Sequence, residues 1–382
     1  MAKRDKRQSS RVVDADGHVS ERIEWAKALP PELLPFAPRR MSPEVGGILA
    51  GGQVYTGPWT PVPWVRDEGS WFEWISLPGR EGMWDPARRL RDMDLEGIAV
   101  AVLFGGFAAL AASVVPDARL GTAMARAYNE WLAGYCRHKP ERLKGVAALA
   151  AQEPEVAARE LRRCVKEYGF VGGAFPSNVQ GQNLADPRFN PIWAEAERLN
   201  VPICIHNSSV IRGPGGERFT SYFSIKAPLD PFENMLASMA IVCGGVLDRF
   251  PRLRVAFMES GAGWTLFWMD RLDDYYEELG QRSIEHLDKP LRLGMPSAYF
   301  RSEQVYVACE PTERTLPLVV DALGADRLLY ASDYLHHDAK FPRSVALIHE
   351  RKDLTIEAKR KVLGENAIRL YGLAQSLRAR KV

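Results

Sequence analysis

Ionisable side chains follow several short apolar runs of this sequence, at the point where each run ends. The apolar run at residues 327–331 is followed by Ser332 and Asp333, and shortly afterwards by a histidine pair that begins with His336. In an α/β barrel the chemistry takes place at the carboxyl ends of the strands. A run that ends in a carboxylate and imidazoles is typical of such a strand, and it predicts that other strands carry partners to the same point.

The first apolar run of the chain carries a second group of ionisable side chains. Asp14, Asp16 and His18 alternate along residues 12–19, so in an extended backbone the three side chains point the same way. Three ionisable groups on one face are a poor pattern for a purely structural strand. We interpret them as part of a site at the end of the strand.

Three later apolar runs also end in a polar side chain, namely His206, Glu259 and Glu310. Most of the other histidines lie instead on predicted helices or in polar connections. This segregation indicates one site to which several strands contribute.

Two imidazoles and two carboxylates are a common ligand set for a divalent cation. We predict that Asp16, His18, His206 and Asp333 bind one such ion. Imidazole suits Zn2+ or Fe2+ and the oxygens also admit Mn2+ or Mg2+, with Zn2+ as the first candidate. The cation would polarise a substrate oxygen or lower the pKa of its water. The alternatives are a core histidine at 206 and a helix N-cap at 333.

The elements that must position these residues are eight predicted strands separated mostly by predicted helices. The strands cover residues 12–19, 98–104, 143–150, 170–175, 201–207, 253–258, 305–309 and 327–331. The helices cover residues 86–96, 121–136, 155–168, 190–199, 232–250, 264–279 and 357–371. This alternation favours a (β/α)8 TIM barrel. A doubly wound open sheet is the competitor, but it would normally have fewer strands and a Gly-rich phosphate loop after the first.

The chain of 382 residues has room for one barrel of about 250 residues and an insertion. We expect residues 1–11, which are basic and polar, to be a disordered tail, and residues 12–382 to form a single domain. Residues 20–92 lack periodicity and are rich in tryptophan, which argues against disorder. We predict that this insertion is an aromatic lid over the barrel mouth or a subunit contact, with an aromatic mini-core as the alternative.

Composition excludes several classes of protein. Lys plus Arg is 50 and Asp plus Glu is 48, which gives no reason to expect a nucleic acid or an anionic membrane as partner. No apolar run suits a signal peptide or is long enough to span a membrane. The five cysteines form no Cys-x-x-Cys pair, and their odd number argues against a disulfide scaffold and favours the cytoplasm.

Five segments together resemble the amidohydrolase-related family (amidohydrolase 2), and in particular its aminocarboxymuconate-semialdehyde decarboxylase group. The segments are residues 14–18, 202–206, 254–261, 332–334 and 366–371, within a resemblance that covers about residues 12–373. The resemblance implies a distorted (β/α)8 barrel of the metal-dependent hydrolase type, with one catalytic metal and commonly a homodimer. The activities it implies are non-oxidative decarboxylation of aromatic or unsaturated acids, hydration, and C–C or C–N hydrolysis.

The resemblance carries over residue by residue. His18 looks like the second histidine of the family's first-strand pair, with Asp16 at the first position, and His206 and Asp333 match the ligands of the fifth and eighth strands. Glu259 stands where the decarboxylases have a histidine, their usual acid/base group. A carboxylate can do that work if burial raises its pKa toward neutrality. The fourth strand has no bridging Lys or Glu, which argues against a two-metal hydrolase.

We predict a metal-dependent decarboxylase that acts on a small aromatic or unsaturated carboxylic acid. Its catalytic residues would be Glu259 as acid/base, Asp333, and His336 and Glu310 as orienting groups, and its substrate-binding residues would be Arg80, Arg212 and Asn207. The two arginines are candidate carboxylate clamps, with ordinary surface arginines as the alternative. The competing functions are a hydrolase of C–C or C–N bonds that uses Glu259 as acid/base, and a barrel that only binds a ligand.

Overall fold

The computed structural model describes residues 11–20, 23–37, 39–40, 48–50, 53–55, 79–106, 109, 111–206, 218–219, 222–336 and 339–374. Of the predicted disordered tail only Arg11 lies within these ranges. Much of the predicted insertion, including residues 56–78 and the four tryptophans among them, lies outside them. No helix in the described ranges is long and apolar enough to cross a membrane.

Eight parallel strands form one nearly closed barrel. The strands are β1 (Val12–His18), β2 (Ile98–Phe104), β3 (Leu143–Ala148), β4 (Gly172–Phe175), β5 (Ile203–Ile205), β6 (Val255–Phe257), β7 (Val305–Cys309) and β8 (Leu328–Tyr330). They pair in the order of the chain, and every pairing is parallel. This order never reverses, which excludes the doubly wound sheet, whose strand order reverses at its switch point.

Backbone hydrogen bonds join the first strand to the segment after the last. The amide of Asp333 donates to the carbonyl oxygen of Asp16 at 3.1 Å, and the amide of His18 donates to that of Tyr334 at 2.8 Å. The register between β1 and β2 shifts between Asp14 and Gly17, so the strict alternation predicted for β1 is interrupted there.

Helices follow most of the strands. They are α1 (Pro86–Glu96), α2 (Ala118–Cys136), α3 (Pro154–Tyr168), α4 (Asn190–Leu199), α5 (Tyr222–Cys243), α6 (Val246–Arg249), α7 (Trp264–Leu279), α8 (Pro296–Arg301), α9 (Leu316–Leu323), α10 (Ser344–Glu350), α11 (Ile356–Arg360) and α12 (Asn366–Leu370). A π-helical turn, Lys361–Glu365, joins the last two. Asp85 caps α1 by accepting a hydrogen bond from the amide of Ala87, and Gly97 ends that helix in a left-handed conformation.

The prediction for the fifth helix was wrong at both ends. We placed it at residues 232–250, whereas α5 begins at Tyr222 and contains Pro228 and Pro231. It ends at Cys243, and Gly245, with φ of 72°, separates it from α6. Helices α8, α9 and α10 were not predicted, since they are short and therefore show little periodicity.

Alternate residues of the strands face two different cores. On β2, Val100 and Val102 belong to the cluster inside the barrel, whereas Ala101 and Leu103 belong to the cluster between strands and helices. Strands buried on both faces explain the uninterrupted apolar runs of the sequence. The filled interior leaves the carboxyl ends of the strands as the place for a site.

The described part of the predicted insertion is structured. It contains 3-10 helical turns at Ile23–Ala28, Leu34–Phe36 and Glu81–Met83, and an antiparallel sheet of Arg39–Arg40, Ile48–Ala50 and Gln53–Tyr55. Trp25, Leu29 and Leu33 are buried in the same cluster as the outer face of the barrel. This part of the insertion therefore packs on the barrel and shares its core.

Asn129 on α2 is expected to hold the end of β3 in place. Its amide nitrogen donates to the carbonyl oxygen of Ala148 at 3.0 Å, and the amide of Ala148 donates to its side-chain oxygen at 2.8 Å. The substitution Asn129→Leu leaves both buried backbone groups without this partner, which should lower the free energy of unfolding by about 2–5 kcal/mol. Urea denaturation measures the change. The exposed-face control Arg126→Leu should stay within about 0.5 kcal/mol, and equal stability of the two variants would contradict the assignment.

Candidate metal centre

Acidic and imidazole side chains from β1 and from the segments after β5, β6 and β8 meet at one end of the barrel. They are Asp16, His18, His206, Glu259, Asp333 and His336. Potential ligand atoms of Asp16, His18 and His206 all lie within 4.8 Å of one another. The same holds for a second group made of His18, Glu259, Asp333 and His336, so His18 belongs to both groups.

The distances within this cluster suit the ligands of one cation. His18 Nε2 lies 3.3 Å from Asp333 Oδ1 and 3.7 Å from Asp16 Oδ1, and His206 Nε2 lies 3.6 Å from Asp16 Oδ2. Ligand atoms at about 2.1 Å from a tetrahedral metal ion are roughly 3.4 Å apart. The pairs His18–Asp16, His18–Asp333 and His206–Asp16 thus have separations close to those between ligands of one ion. Asp333 belongs to the second group and is joined to the first through His18.

Hydrogen bonding gives an independent test of whether a cation fits. Asp16 Oδ1 and His18 Nε2 are buried and have no hydrogen-bond partner within the described part of the chain. Buried polar atoms are nearly always paired, because desolvation without a partner is costly. A buried carboxylate oxygen and a buried imidazole nitrogen that lie close together without hydrogen-bond partners fit a divalent-metal site. This mixed set of donor atoms admits zinc, iron or manganese.

Two carboxylates of the cluster are held by unusual backbone. Glu259 has φ of 58° and Asp333 has φ of 49°. Residues other than glycine rarely adopt this left-handed conformation, and when they do they often lie at functional sites.

Glu313, which the sequence did not single out, secures the turn that follows Glu259. Its carboxylate accepts hydrogen bonds from the backbone amides of Ala262, at 3.0 Å, and of Gly263. Glu310 begins the same loop, and its own backbone amide lies 3.4 Å from Glu313 Oε2. Neither ligand group found in the described ranges includes Glu310.

Positive groups surround Glu259. Its carboxylate oxygens lie 3.4 Å from His336 Nδ1, 3.8 Å from Lys226 Nζ and 3.9 Å from His206 Nδ1. Burial alone would raise the pKa of Glu259, but Lys226, His206 and His336 together hold it well below its ordinary value. This lowering of the pKa of Glu259 is opposite to the rise toward neutrality that a general acid would need. Glu259 is therefore ionised at neutral pH, and the positive groups that stabilise its carboxylate also make it a weaker base.

Lys226 is a second residue that the sequence did not indicate. It lies on the first turns of α5, ahead of residue 232, where we had placed the start of this helix. Lys226 Nζ is 2.8 Å from Asp230 Oδ2, one helical turn further on. This (i, i+4) spacing of opposite charges was the one available signal of the helix.

His336 lies between the two carboxylates of the second group. Its ring stacks on that of His18 with centroids 4.0 Å apart, and its Nδ1 is 2.7 Å from Asp333 Oδ1. Burial lowers the pKa of His336, but the carboxylates of Asp333 and Glu259 outweigh burial and raise it well above its ordinary value. His336, Asp333 and Glu259 can therefore share a proton.

The predicted substrate-binding residues have different outcomes. Arg80 Nη1 donates to the carbonyl oxygen of Leu335 at 2.6 Å, which places this guanidinium beside the segment that carries His336. Burial lowers the pKa of Arg80 to about 10. Asn207 and Arg212 lie outside the described residues.

An apolar pocket opens beside His206 at the same end of the barrel. Its walls include Phe104, Tyr128, Leu149 and Phe175. The ring of Phe104 stacks against that of His206 with centroids 5.2 Å apart. A flat apolar group that entered this pocket would lie next to the cluster.

Curated relatives of this chain include several decarboxylases. The 2-amino-3-carboxymuconate-6-semialdehyde decarboxylase of Dictyostelium discoideum is 28% identical over 300 residues, which cover 76% of this chain and 77% of that protein. The gamma-resorcylate decarboxylase of Rhizobium sp. (strain MTP-10005) is 29% identical over 266 residues, which cover 64% of this chain and 75% of that protein.

Solved structures share the fold over almost the whole chain. The 5-carboxyvanillate decarboxylase of Novosphingobium aromaticivorans, with bound manganese, has a TM-score of 0.70 at 22% identity and covers 96% of this chain and 98% of its own. An amidohydrolase of Mycobacterium avium subsp. paratuberculosis has a TM-score of 0.76 at 19% identity and covers 96% of this chain and 100% of its own.

The amidohydrolase family model matches residues 13–373, from the second residue of β1 to beyond α12. The match contains every barrel strand in its predicted order and all six residues of the cluster. The chain therefore belongs to the amidohydrolase family.

Proposed function

We propose that this protein is a metal-dependent decarboxylase that releases CO2 from a small aromatic or unsaturated carboxylic acid. The observation that carries the proposal is the pair of ligand groups at the carboxyl end of the barrel, in which His18 joins Asp16 and His206 to Asp333. The similarity to curated decarboxylases, at 28% and 29% identity, supports this reaction class.

In this proposal those four residues hold one divalent cation. Zinc remains the first candidate, and manganese is supported by relatives whose structures contain it. Asp16 stands in place of a histidine and adds an oxygen ligand, which favours manganese, the harder of the two ions. When bound, the cation supplies a positive charge that orients the oxygen atoms of the substrate and withdraws electron density from the carbon that loses CO2.

The chain's own residues handle the proton. Decarboxylation breaks the C–C bond between the carboxylate group and the adjoining carbon of the substrate. The electron pair that stays on the adjoining carbon then forms a bond to a proton. His336 Nδ1, at 2.7 Å from Asp333 and 3.4 Å from Glu259, can hold that proton and pass it through either carboxylate. We assign proton transfer to Glu259 and Asp333, with His336 as their partner. An orienting role for Glu310 remains a prediction.

The surroundings of the cluster suit a planar acid. The pocket walls of Phe104, Tyr128 and Phe175 would contact the faces of a ring or a conjugated chain. Arg80 is the described candidate for binding the carboxylate, whereas Arg212 and Asn207 remain candidates from the sequence. We further propose that residues 20–92 form a lid that excludes water from this mouth.

A hydrolase of C–C or C–N bonds is the second candidate. The observation that favours it is the ionised Glu259 beside Lys226, a pair of charges that can hydrogen-bond to an attacking water molecule and orient it. A barrel that only binds a ligand is the third candidate, and it requires the cluster to bind no catalytic ion.

We also propose a homodimer in the cytoplasm. Phe232, Leu236 and Met239 share one exposed face of α5, and Phe267 on the adjacent α7 is 62% exposed. The two helices are joined by a hydrogen bond from Trp268 Nε1 to Ser238 Oγ, at 3.0 Å, so these exposed apolar residues lie on neighbouring helices. Such a surface usually marks a contact with another protein, and a second copy is the commonest partner.

Loss of the cation is expected to abolish the reaction. We propose 2,6-dihydroxybenzoate as the first test substrate, because it is bound in a solved decarboxylase with the same fold. Treatment with a chelator should stop CO2 release, and His206→Ala and Asp333→Asn should each lower the bound metal at least about tenfold, because each removes a ligand. Elemental analysis and CO2 detection measure both effects. His138→Ala, which alters an exposed histidine far along the chain from the cluster, is the control. A fully active metal-free protein would refute the proposal, and hydrolysis products without CO2 would favour the second candidate.

We expect Glu259 to take part in proton transfer and not to contribute to binding of the metal ion. The substitution Glu259→Gln keeps the shape of the side chain but removes its charge, so kcat should fall by a factor of about 10² to 10⁴ while the metal content stays the same. Steady-state kinetics and elemental analysis separate the two effects. The exposed Glu277→Gln is a matched control. Unchanged kcat in Glu259→Gln would remove this residue from the mechanism.

The apolar face of α5 and α7 is expected to be the dimer contact. Charged substitutions at its centre, Phe232→Asp with Phe267→Asp, should convert a dimer into a monomer because they place unpaired charges in an apolar contact. Sedimentation velocity measures the mass. Leu318→Asp, at a position on α9 that is 59% exposed, should leave the mass unchanged. A wild-type protein that is already monomeric would contradict the assignment.

A further inference from the structure

A buried arginine lies directly behind the metal cluster. Arg89, on α1, is only 1% exposed and ranks among the largest fully buried side chains of the described chain. Its Nη1 donates to the backbone carbonyl oxygen of His18 at 2.7 Å, and its Nη2 is 3.6 Å from Asp14 Oδ2. Arginine is almost never buried to this extent unless it is paired, because its charge must leave water.

The partner carboxylate, Asp14, joins the first strand to the last. Asp14 accepts a hydrogen bond from the amide of Ser332 at 2.9 Å and a second from the hydroxyl of Ser332 at 2.6 Å. It also lies 3.3 Å from the amide of Asp16. Asp14 therefore contacts Asp16 on one side of the barrel seam and the neighbour of Asp333 on the other.

The guanidinium of Arg89 also covers the residue after Asp333. It lies 3.8 Å from the ring centroid of Tyr334, and the hydroxyl of Tyr334 donates to Asp92 on the same helix. The carbonyl oxygen of Tyr334 accepts the amide of His18 at 2.8 Å. Through Asp14 and the ring of Tyr334, Arg89 is linked to the residues on both sides of Asp333.

Gly17 makes room for this arrangement. A Cβ at this position would overlap Arg89 Nη2 and Asp14 Oδ2, so any larger residue between Asp16 and His18 would displace the pair. The backbone of Gly17 has no positive φ that would by itself require glycine. The need for glycine therefore comes from the guanidinium that packs against it.

We infer that Arg89 is a positioning residue that sets the separation between His18 and Asp333 and so determines the affinity of the site for its cation. This inference rests on the proposed metal-dependent function. No atom of Arg89 belongs to either ligand group, and it acts through the carbonyl of His18 and through Asp14 and Ser332. Residues that hold ligands in place typically change metal affinity by about 10- to 100-fold when they are replaced.

The test measures the dissociation constant for Mn2+ on the full chain, by titration calorimetry of protein first stripped with a chelator. Arg89→Met should weaken binding at least about tenfold, and Arg89→Lys less, because lysine keeps the charge but cannot contact His18 and Asp14 together. Arg91→Met is the matched control, since Arg91 is an exposed arginine on the same helix. Arg91→Met should bind Mn2+ within about twofold of the wild type.

A second pair of variants tests the steric part. Gly17→Ala should also weaken Mn2+ binding in the wild-type background, because the new methyl group pushes the guanidinium away. In the Arg89→Ala background the same change should cost less, since only the overlap with Asp14 then remains. A double-mutant cycle with this non-additive outcome supports a direct contact between the two positions.

Thermal unfolding of the stripped and loaded proteins separates positioning from a general loss of stability. A positioning role reduces the increase in Tm that Mn2+ produces, whereas a purely structural role lowers both Tm values equally. Wild-type affinity in Arg89→Met, together with a lower Tm of the stripped protein, would overturn the inference but not the proposed function. A wild-type protein that binds no cation would overturn both. If Arg89→Met does not fold, Arg89→Lys and Gly17→Ala decide by the same criteria.

Discussion

The site depends on the hydrogen bonds that bring the two ends of the barrel together. The amides of Asp333 and His18 donate across the seam to Asp16 and Tyr334, so three of the predicted ligands are fixed in register by backbone atoms. These residues are more than 300 positions apart in the chain, and no local preference could place them side by side. The nearly closed barrel of eight parallel strands fixes this geometry, because it brings the first strand into contact with the last.

Electrostatics works against this geometry. Asp16, Glu259 and Asp333 bring three carboxylates into a largely buried space, where like charges raise each other's free energy. His336 and Lys226 compensate Asp333 and Glu259, whereas Asp16 Oδ1 keeps no hydrogen-bond partner among the described residues. A divalent cation would remove this imbalance, so that its binding and the stability of the barrel mouth are thermodynamically linked.

The sequence predicted the features that repeat along the chain. The strands at residues 98–104 and 305–309 match their predictions because both faces of each are buried and the apolar run is continuous. The family resemblance is confirmed by a model match over residues 13–373. The predicted cluster residues lie together because strand ends share one face of the barrel, a rule that needs no knowledge of side-chain contacts.

The sequence did not predict residues whose role comes from contacts across the fold. Lys226 lies on a helix that tolerates two prolines, and Arg89 looks like one charge in an ordinary amphipathic helix. Glu313 hydrogen-bonds to backbone amides about fifty residues earlier in the chain. The pocket beside His206 has a consequence of another kind. Much of its lining is small, with Ala109, Ala148 and Ala174 among the contributors. Substitutions that add or remove one methyl group there would change the shape of the pocket, while every acidic and imidazole group stayed in place. Related sequences could therefore bind molecules of a different width and keep the same reactive side chains.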